Sequence, residues 1–306
     1  MTTIGTDTSG FYERSTTAIA GLRARAEGLQ GDIATGERLN RSSDDPIAAA
    51  RLRVLARAES RAGIDAANAG RAGTDLSLAD GALSDIADTI IRARELATQA
   101  ANGTLGPAQR AAIGAELGTI HDQLAALANS RDAAGHALFG GRATGDAYTL
   151  DANGRAAYAG TASAGELPIG EGQTIGRGLT GPEFLNFTAD GASTDVLAVV
   201  KGLADALQGG AADPAAAARG GIDALGTALA TVNTAQSVVG SRLARLDQVN
   251  ERATKVGELR AAEQAEVGGA DIATTIAQLQ QTMLVLEASQ ASFARLSGLS
   301  LFTLLT

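Results

Sequence analysis

Residues 74–101 read "TDLSLADGALSDIADTIIRARELATQAA", and their spacing decides the fold. Leu76, Ala79, Leu83, Ile86, Ile90, Ala93 and Ala97 recur at alternating intervals of 3 and 4. That alternation keeps one apolar stripe on one side of a helix and gives the heptad seam of a coiled coil. It predicts a helix over about 74–101, ~40 Å long. Gly103 and Pro107 then stop it. A second stripe follows at once, with Ile113, Leu117, Ile120, Leu124 and Leu127. A connection this short makes the two helices antiparallel neighbours.

The same periodicity returns at the other end of the chain. Leu225, Leu229, Val232, Val239, Leu243, Leu246, Ala253 and Val256 mark another long amphipathic helix. The last helix carries Ile272, Ile276, Leu279, Met283, Leu286 and Phe293, with Gln290 interrupting its stripe. Near the N-terminus Phe11, Ala18, Leu22, Leu29 and Ile33 form a sparser stripe, which breaks at "TGERLNRSSDDP", residues 35–46. Between the arms the composition turns to Gly, Thr, Tyr, Phe and Pro. "GDAYTLDANGRAAYAGT" (145–161) has short β-type pieces around Asn153-Gly154, a hairpin signal. "ELPIGEGQTIGRGLTGPEFLNF" (166–187) adds more short strands.

Each arm has an apolar seam that needs a partner, and the simplest pairing is with the other arm. The expected fold is mainly α: a discontinuous long-helix coiled-coil bundle built by N- and C-terminal arms, with a small β-containing outer domain inserted in the middle. The expected division is 1–45 with 268–306 as a terminal helical assembly domain, 46–138 with 222–267 as a long helical bundle, and 139–221 as the β-rich insertion. Packing Leu22, Leu29 and Ile33 against Ile272, Leu279, Met283 and Leu286 would bury much of both terminal stripes. Each fully buried Leu or Ile contributes ~1.5–3 kcal/mol, against ~1–2 kcal/mol per residue of backbone ordering. The terminal helices of a free monomer are therefore expected to be only marginally ordered.

Composition narrows the function. With no Cys among 306 residues, disulfides, thiolate metal sites and cysteine nucleophiles are excluded. A net charge of -9 argues against nucleic-acid binding. No apolar run reaches the ~18–20 residues of a membrane span, and "MTTIGTDTSGFYERS" lacks the features of a secretory signal. "GRGLTG" (176–181) matches a dinucleotide-loop pattern but sits in a Gly-rich strand-and-turn region. "DANGR" (151–155) lacks the Gly and Glu spacing of a calcium loop. His121 and His136 have no nucleophile or metal-ligand spacing around them and read as helix-surface or boundary residues. No catalytic, cofactor-binding or metal residues are assigned.

Ser43, Asp44, Asp45 and Pro46 look at first like a cluster of acidic ligands. Pro suits the first helical position, and the residue before it is pushed out of the α region. Asp45 is thus the expected N-cap of the next helix, its carboxylate taking an orphan N–H. The four residues read as a helix cap and bend.

"IATGERLNRSSDDPIAAARLRVLA" (33–56) resembles the N-terminal signature of the flagellin superfamily, and its Ser-Asp-Asp-Pro version is similar to the hook–filament junction branch of that family. "LATQAANGTLGPAQRAAIGAEL" (96–117), "LANSRDAAGHALFGGRATGDAY" (127–148) and "LSLFTLL" (299–305) resemble family segments in the same order. Two features depart from the pattern: the extreme N-terminus lacks the short Arg-containing opening, and Ser42 stands where Pro is frequent. The resemblance implies a structural protein of the bacterial flagellum and no enzyme. It implies export without a cleaved signal peptide, by the flagellum's own type III apparatus, and an extracellular place at the hook–filament junction. The partners it implies are further copies of the chain in a ring, the adjacent hook-associated protein, flagellin, and a flagellar export chaperone before secretion. Neither nucleic acid, membrane insertion nor cofactor is implied. The alternative within the superfamily is a flagellin-type filament subunit. Leu22, Leu29, Ile33, Ile272, Ile276, Leu279, Met283, Leu286 and Phe293 are the expected assembly-helix residues. Leu299, Leu301, Phe302, Leu304 and Leu305 form an apolar tail, read either as core packing or as a chaperone-recognition element.

Overall fold

The computed structural model describes residues 4–39 and 41–302, with 4–9 and 297–302 described by backbone alone. The chain is mainly α. Its elements run α1 (Ile4–Thr35), α2 (Pro46–Ala100), α3 (Pro107–Ala128), β1 (Tyr148–Leu150), β2 (Ala156–Tyr158), β3 (Glu166–Gly170) and β4 (Gln173–Gly176). Then come α4 (Gly181–Leu185), β5 (Asn186–Ala189), β6 (Ala192–Asp195), α5 (Val196–Asp205), a π-helical turn (Ala206–Gly210), α6 (Pro214–Gly268) and α7 (Ile272–Phe302). The chain divides into two compact units, 1–60 with 256–306 and 61–255.

The larger unit, 61–255, holds the main core. The seam on α2 extends beyond the stretch read from sequence: Ala69, Ala72, Leu76, Ala79, Leu83, Ile86, Ile90, Ala93, Ala97 and Ala100 are all buried. Leu117, Ile120, Leu124 and Ala128 of α3 belong to the same core, as do Ala218, Leu225, Ala228, Val232, Ala235, Val239 and Leu246 of α6. Alanines are interspersed with large side chains along α2 and α6. Small residues let helix backbones approach, and the large ones fill the space between them, as interdigitated packing demands. Arg110 fixes the α2–α3 turn from the first turn of α3, donating to the carbonyls of Ala100 (3.2 Å) and Asn102 (2.9 Å). Those carbonyls lie at the end of α2, where helix geometry leaves acceptors unpaired.

Among the described residues the β content is three separate antiparallel hairpins, β1–β2, β3–β4 and β5–β6. Asn129, just past α3, anchors the first: its amide donates to the Tyr148 carbonyl and accepts from the Tyr148 N–H, both at 2.8 Å. The hairpin closes through residues 151–155, where the Asp151 carboxylate accepts from the N–H groups of Asn153 and Arg155. The second hairpin buries Ile169 and Ile175, and is tied to α2 by Asn68 donating to the Pro168 carbonyl at 3.0 Å. The stretch 139–221 also contains α5, a helix within a region read as β-rich. Its sequence accounts for it: Asp195 accepts from the Ala198 N–H at 2.8 Å, and Val196, Leu197, Val200, Leu203 and Ala204 are buried at helical spacing. α5 packs along α3. A Cβ on Gly114 would lie 2.9 Å from the Ala204 carbonyl, so only glycine permits that approach. Phe139 and Phe184 are fully buried, ring centroids 4.6 Å apart.

In the smaller unit α1 packs along α7. The first turns of α2 meet the last turns of α6, with Arg51 bonded to Glu263 at 2.5 Å and Gln264 to Glu59 at 3.2 Å.

Candidate assembly site

The bend at residues 36–45 begins where Gly36, at φ 72°, closes α1 by donating its N–H to the Asp32 carbonyl. A positive φ is strained for any residue with a Cβ, and glycine removes that strain. Asp45 stands at the N-cap of α2, its carboxylate accepting from the Ala48 N–H at 3.0 Å. That hydrogen bond, aided by Arg38 at 3.5 Å, holds the Asp45 carboxyl below the ordinary carboxylate range. Asp44 turns the other way and accepts from the Arg41 N–H at 2.9 Å, with the Ser43 hydroxyl alongside at 3.4 Å. All four residues, Ser43 to Pro46, are engaged in local turn and cap geometry. Among the described residues no group of three or more His, Asp or Glu is placed to hold a metal ion.

The C-terminal arm breaks in the same way. Gly268 and Gly269 end α6, and Asp271 caps α7, accepting from the Ala273 N–H (3.1 Å), the Thr274 N–H (3.3 Å) and the Thr274 hydroxyl (2.6 Å). The Thr274 hydroxyl is the largest of the causes that lower the Asp271 carboxyl. The two breaks are joined: Glu37 and Gly269 face each other as an antiparallel pair.

Beyond the bend, α1 presents Tyr12, Ser15, Ile19, Leu22, Ala26, Leu29 and Ile33 inward, again at intervals of 3 and 4. α7 answers with Thr275, Leu279, Thr282, Leu286, Ser289 and Phe293. Tyr12 meets the Phe293 ring edge-on at 5.5 Å. Leu22, Leu29, Ile33, Leu279, Leu286 and Phe293 lie in this seam. Ile272 and Met283 do not, which corrects their expected pairing with α1, and Ile276 lies outside the seam with them. Ile272, Ile276 and Met283 are 40%, 41% and 47% exposed, and Leu284 beside them is 68% exposed. The inward face of α7 is turned away from these three and carries Thr and Ser among its Leu and Phe residues, so several large apolar side chains fall on the flank. Thr282 is accommodated because its hydroxyl donates to the Gln278 carbonyl at 2.7 Å. In the C-terminal tail, Leu299, Leu301 and Phe302 are described only as helical backbone, and Leu304 and Leu305 lie outside the described residues.

The motifs set aside on sequence are also placed. "GRGLTG" runs from the end of β4 into α4, but Glu183 already occupies that helix start, accepting from the N–H and hydroxyl of Thr180. His136 is half exposed, 3.6 Å from Asp132. His121 corrects its reading as a surface or boundary residue. It is buried on α3, with one ring nitrogen 3.1 Å from Asp122 and the other without a hydrogen-bond partner.

A family model described as the bacterial flagellin N-terminal helical region matches residues 14–144. That span takes in most of α1, the Asp45 bend, all of α2 and α3, and the loop that leads to β1. Over 97% of its length the chain is 27% identical to flagellar hook-associated protein 3 of Salmonella typhimurium, covering 98% of that protein. The chain is similar to the flagellin superfamily, in its N-terminal region by the family model and over nearly its whole length by the relative. Within that superfamily, the flagellin of Listeria monocytogenes is 33% identical but aligns over 50% of this chain and 58% of its own length. The crystal structure of flagellar hook-associated protein 3 from Legionella pneumophila shares the fold, at a TM-score of 0.64 and 13% identity. The match covers 70% of this chain and 98% of that one. The relatives that align over nearly the whole chain are flagellar hook-associated proteins.

Proposed function

We propose that the chain is the adaptor of the hook–filament junction. Copies of it form a ring between the adjacent hook-associated protein and the first flagellin subunits, and they act by packing, without catalysis or cofactor. The supporting observation is the unsatisfied face of α7. Of its 31 residues only Glu287 and Arg295 are charged, and Ile272, Ile276, Met283 and Leu284 remain exposed after α1 has packed. An apolar row of this kind on an otherwise polar surface marks a protein contact. Similarity along the whole length of a hook-associated protein 3, against part of a flagellin, favours the junction over the filament.

In this reading the α1–α7 arm meets neighbouring subunits, and those neighbours complete a seam that is thin on its own. Before secretion the same apolar face and the tail from Leu299 to Leu305 are shielded by the export chaperone, and the chain leaves the cell without a cleaved signal peptide. The experiment is a deletion strain. The junction reading expects a hook without a filament and flagellin monomer released to the medium. The filament-subunit alternative expects the purified chain to polymerise into long filaments by itself. That result would replace the junction reading.

A further inference from the structure

Arg38 lies in the break between α1 and α2, yet it serves the end of α6. The last carbonyls of any α-helix lack intrahelical donors. At the end of α6, Gly269 takes the Ala265 carbonyl at 2.9 Å. The Gly268 carbonyl accepts from the Arg38 backbone N–H at 2.8 Å, and the Val267 carbonyl accepts from its guanidinium at 3.2 Å. A cation is also the charge that the negative end of a helix favours. The same guanidinium nitrogen lies 3.5 Å from the Asp45 carboxylate, which caps the start of α2. One side chain thus bonds the last turn of one long helix and the first-turn cap of another. The Ala270 N–H, donating to the Gly36 carbonyl at 2.9 Å, completes the stitch on the other strand.

We infer that Arg38 is the pin that couples the two bends, so that α1 and α7 turn as a single arm. The Asp45 cap alone ends one helix; Arg38 ties that end to the C-terminal break. Its side chain is half exposed, so its contribution is directional bonding rather than burial. Arg51 is an internal comparison: equally exposed, it pairs with Glu263 across the same two helices but away from the bends. The structural part of the inference stands on these bonds, and its consequence for assembly rests on the junction reading.

The test is amide hydrogen exchange on the purified full chain carrying Arg38→Met, with Arg51→Met as the control. Arg38→Met is expected to lose protection of the amides at positions 38 and 270 together, while the helical amides of α2 and the melting temperature stay unchanged. Arg51→Met is expected to leave the amides at 38 and 270 protected. The inference is overturned if Arg38→Met leaves both amides protected, or if Arg51→Met exposes them equally. It is also overturned if both exchange in the unsubstituted chain at the rate of an unstructured peptide. A strain carrying Arg38→Met is expected to lose filament attachment. If it keeps its filaments although the two amides are exposed, the pin stands and the junction reading fails.

Discussion

Leu286 and Met283 are three residues apart on α7 and face different surroundings, which allows packing within the arm to be separated from assembly. Leu286 is 9% exposed and sits in the seam with α1, whereas Met283 is 47% exposed on the flank. Truncating a buried Leu to Ala costs about 2–5 kcal/mol, depending on how far the site collapses around the gap. A two-helix seam that already contains Thr282 and Ser289 relaxes easily, so Leu286→Ala belongs at the low end, about 2 kcal/mol. That is roughly a 30-fold shift in the balance between closed and open arm. Met283→Ala removes a half-exposed side chain from a surface that lacks a neighbour in the monomer, and its effect there is within about 0.5 kcal/mol. Hydrogen exchange of the α1 amides in dilute monomer reads the first effect. Incorporation into flagella of a strain lacking the native protein reads the second. Leu286→Ala should lower α1 protection, while Met283→Ala should leave it intact and still reduce incorporation. The reasoning is refuted if Met283→Ala lowers α1 protection as much as Leu286→Ala, or if Leu286→Ala leaves it unchanged.

Further predictions concern the bend and the larger unit. Asp45→Ala should fray the first turn of α2 and impair filament attachment, read by exchange at Ala48 and by motility. Because the Asp45 carboxyl is lowered in the fold, its stabilising effect is full above the ordinary carboxylate pKa of ~3.9. It is lost as pH falls through the lower folded value, so Ala48 protection should hold at neutral pH and fail in that acid window. Phe184→Ala removes a fully buried ring packed at a tilt against Phe139 and should cost about 3–5 kcal/mol in denaturant unfolding of the full chain. Asn129→Ala leaves both backbone groups of Tyr148 without their 2.8 Å partners. A loss of about 1–3 kcal/mol is expected, since the carbonyl and N–H are part-buried.

The seam from Leu76 to Ala97 was legible because its buried positions, at strictly alternating intervals of 3 and 4, all carry large apolar side chains or alanine. The α1–α7 seam was only half legible. Its inward positions include Tyr12, Ser15, Thr275, Thr282 and Ser289, and a search for apolar periodicity passes over them. It selects Ile272, Ile276 and Met283 instead, which lie exposed on a flank other than the face against α1. Asp271 follows Gly268-Gly269 and precedes an apolar run, so its role as a cap was available from the helix-start pattern already applied to Asp45. Arg38 was not. Its partner Val267 is 229 residues away, and a cap supplied by a distant segment leaves no local pattern. His121 shares a helical face with Leu117, Leu124 and Ala128, and that phase alone marks it as buried. α5 was hidden by its setting, a helix-length apolar run directly after short hairpins.

The central claim is tested most directly by locating the protein in an intact flagellum, by immunogold labelling or an assembled structure. The account predicts a single short zone between hook and filament, containing a closed ring of this chain. Label distributed along the length of the filament would contradict it.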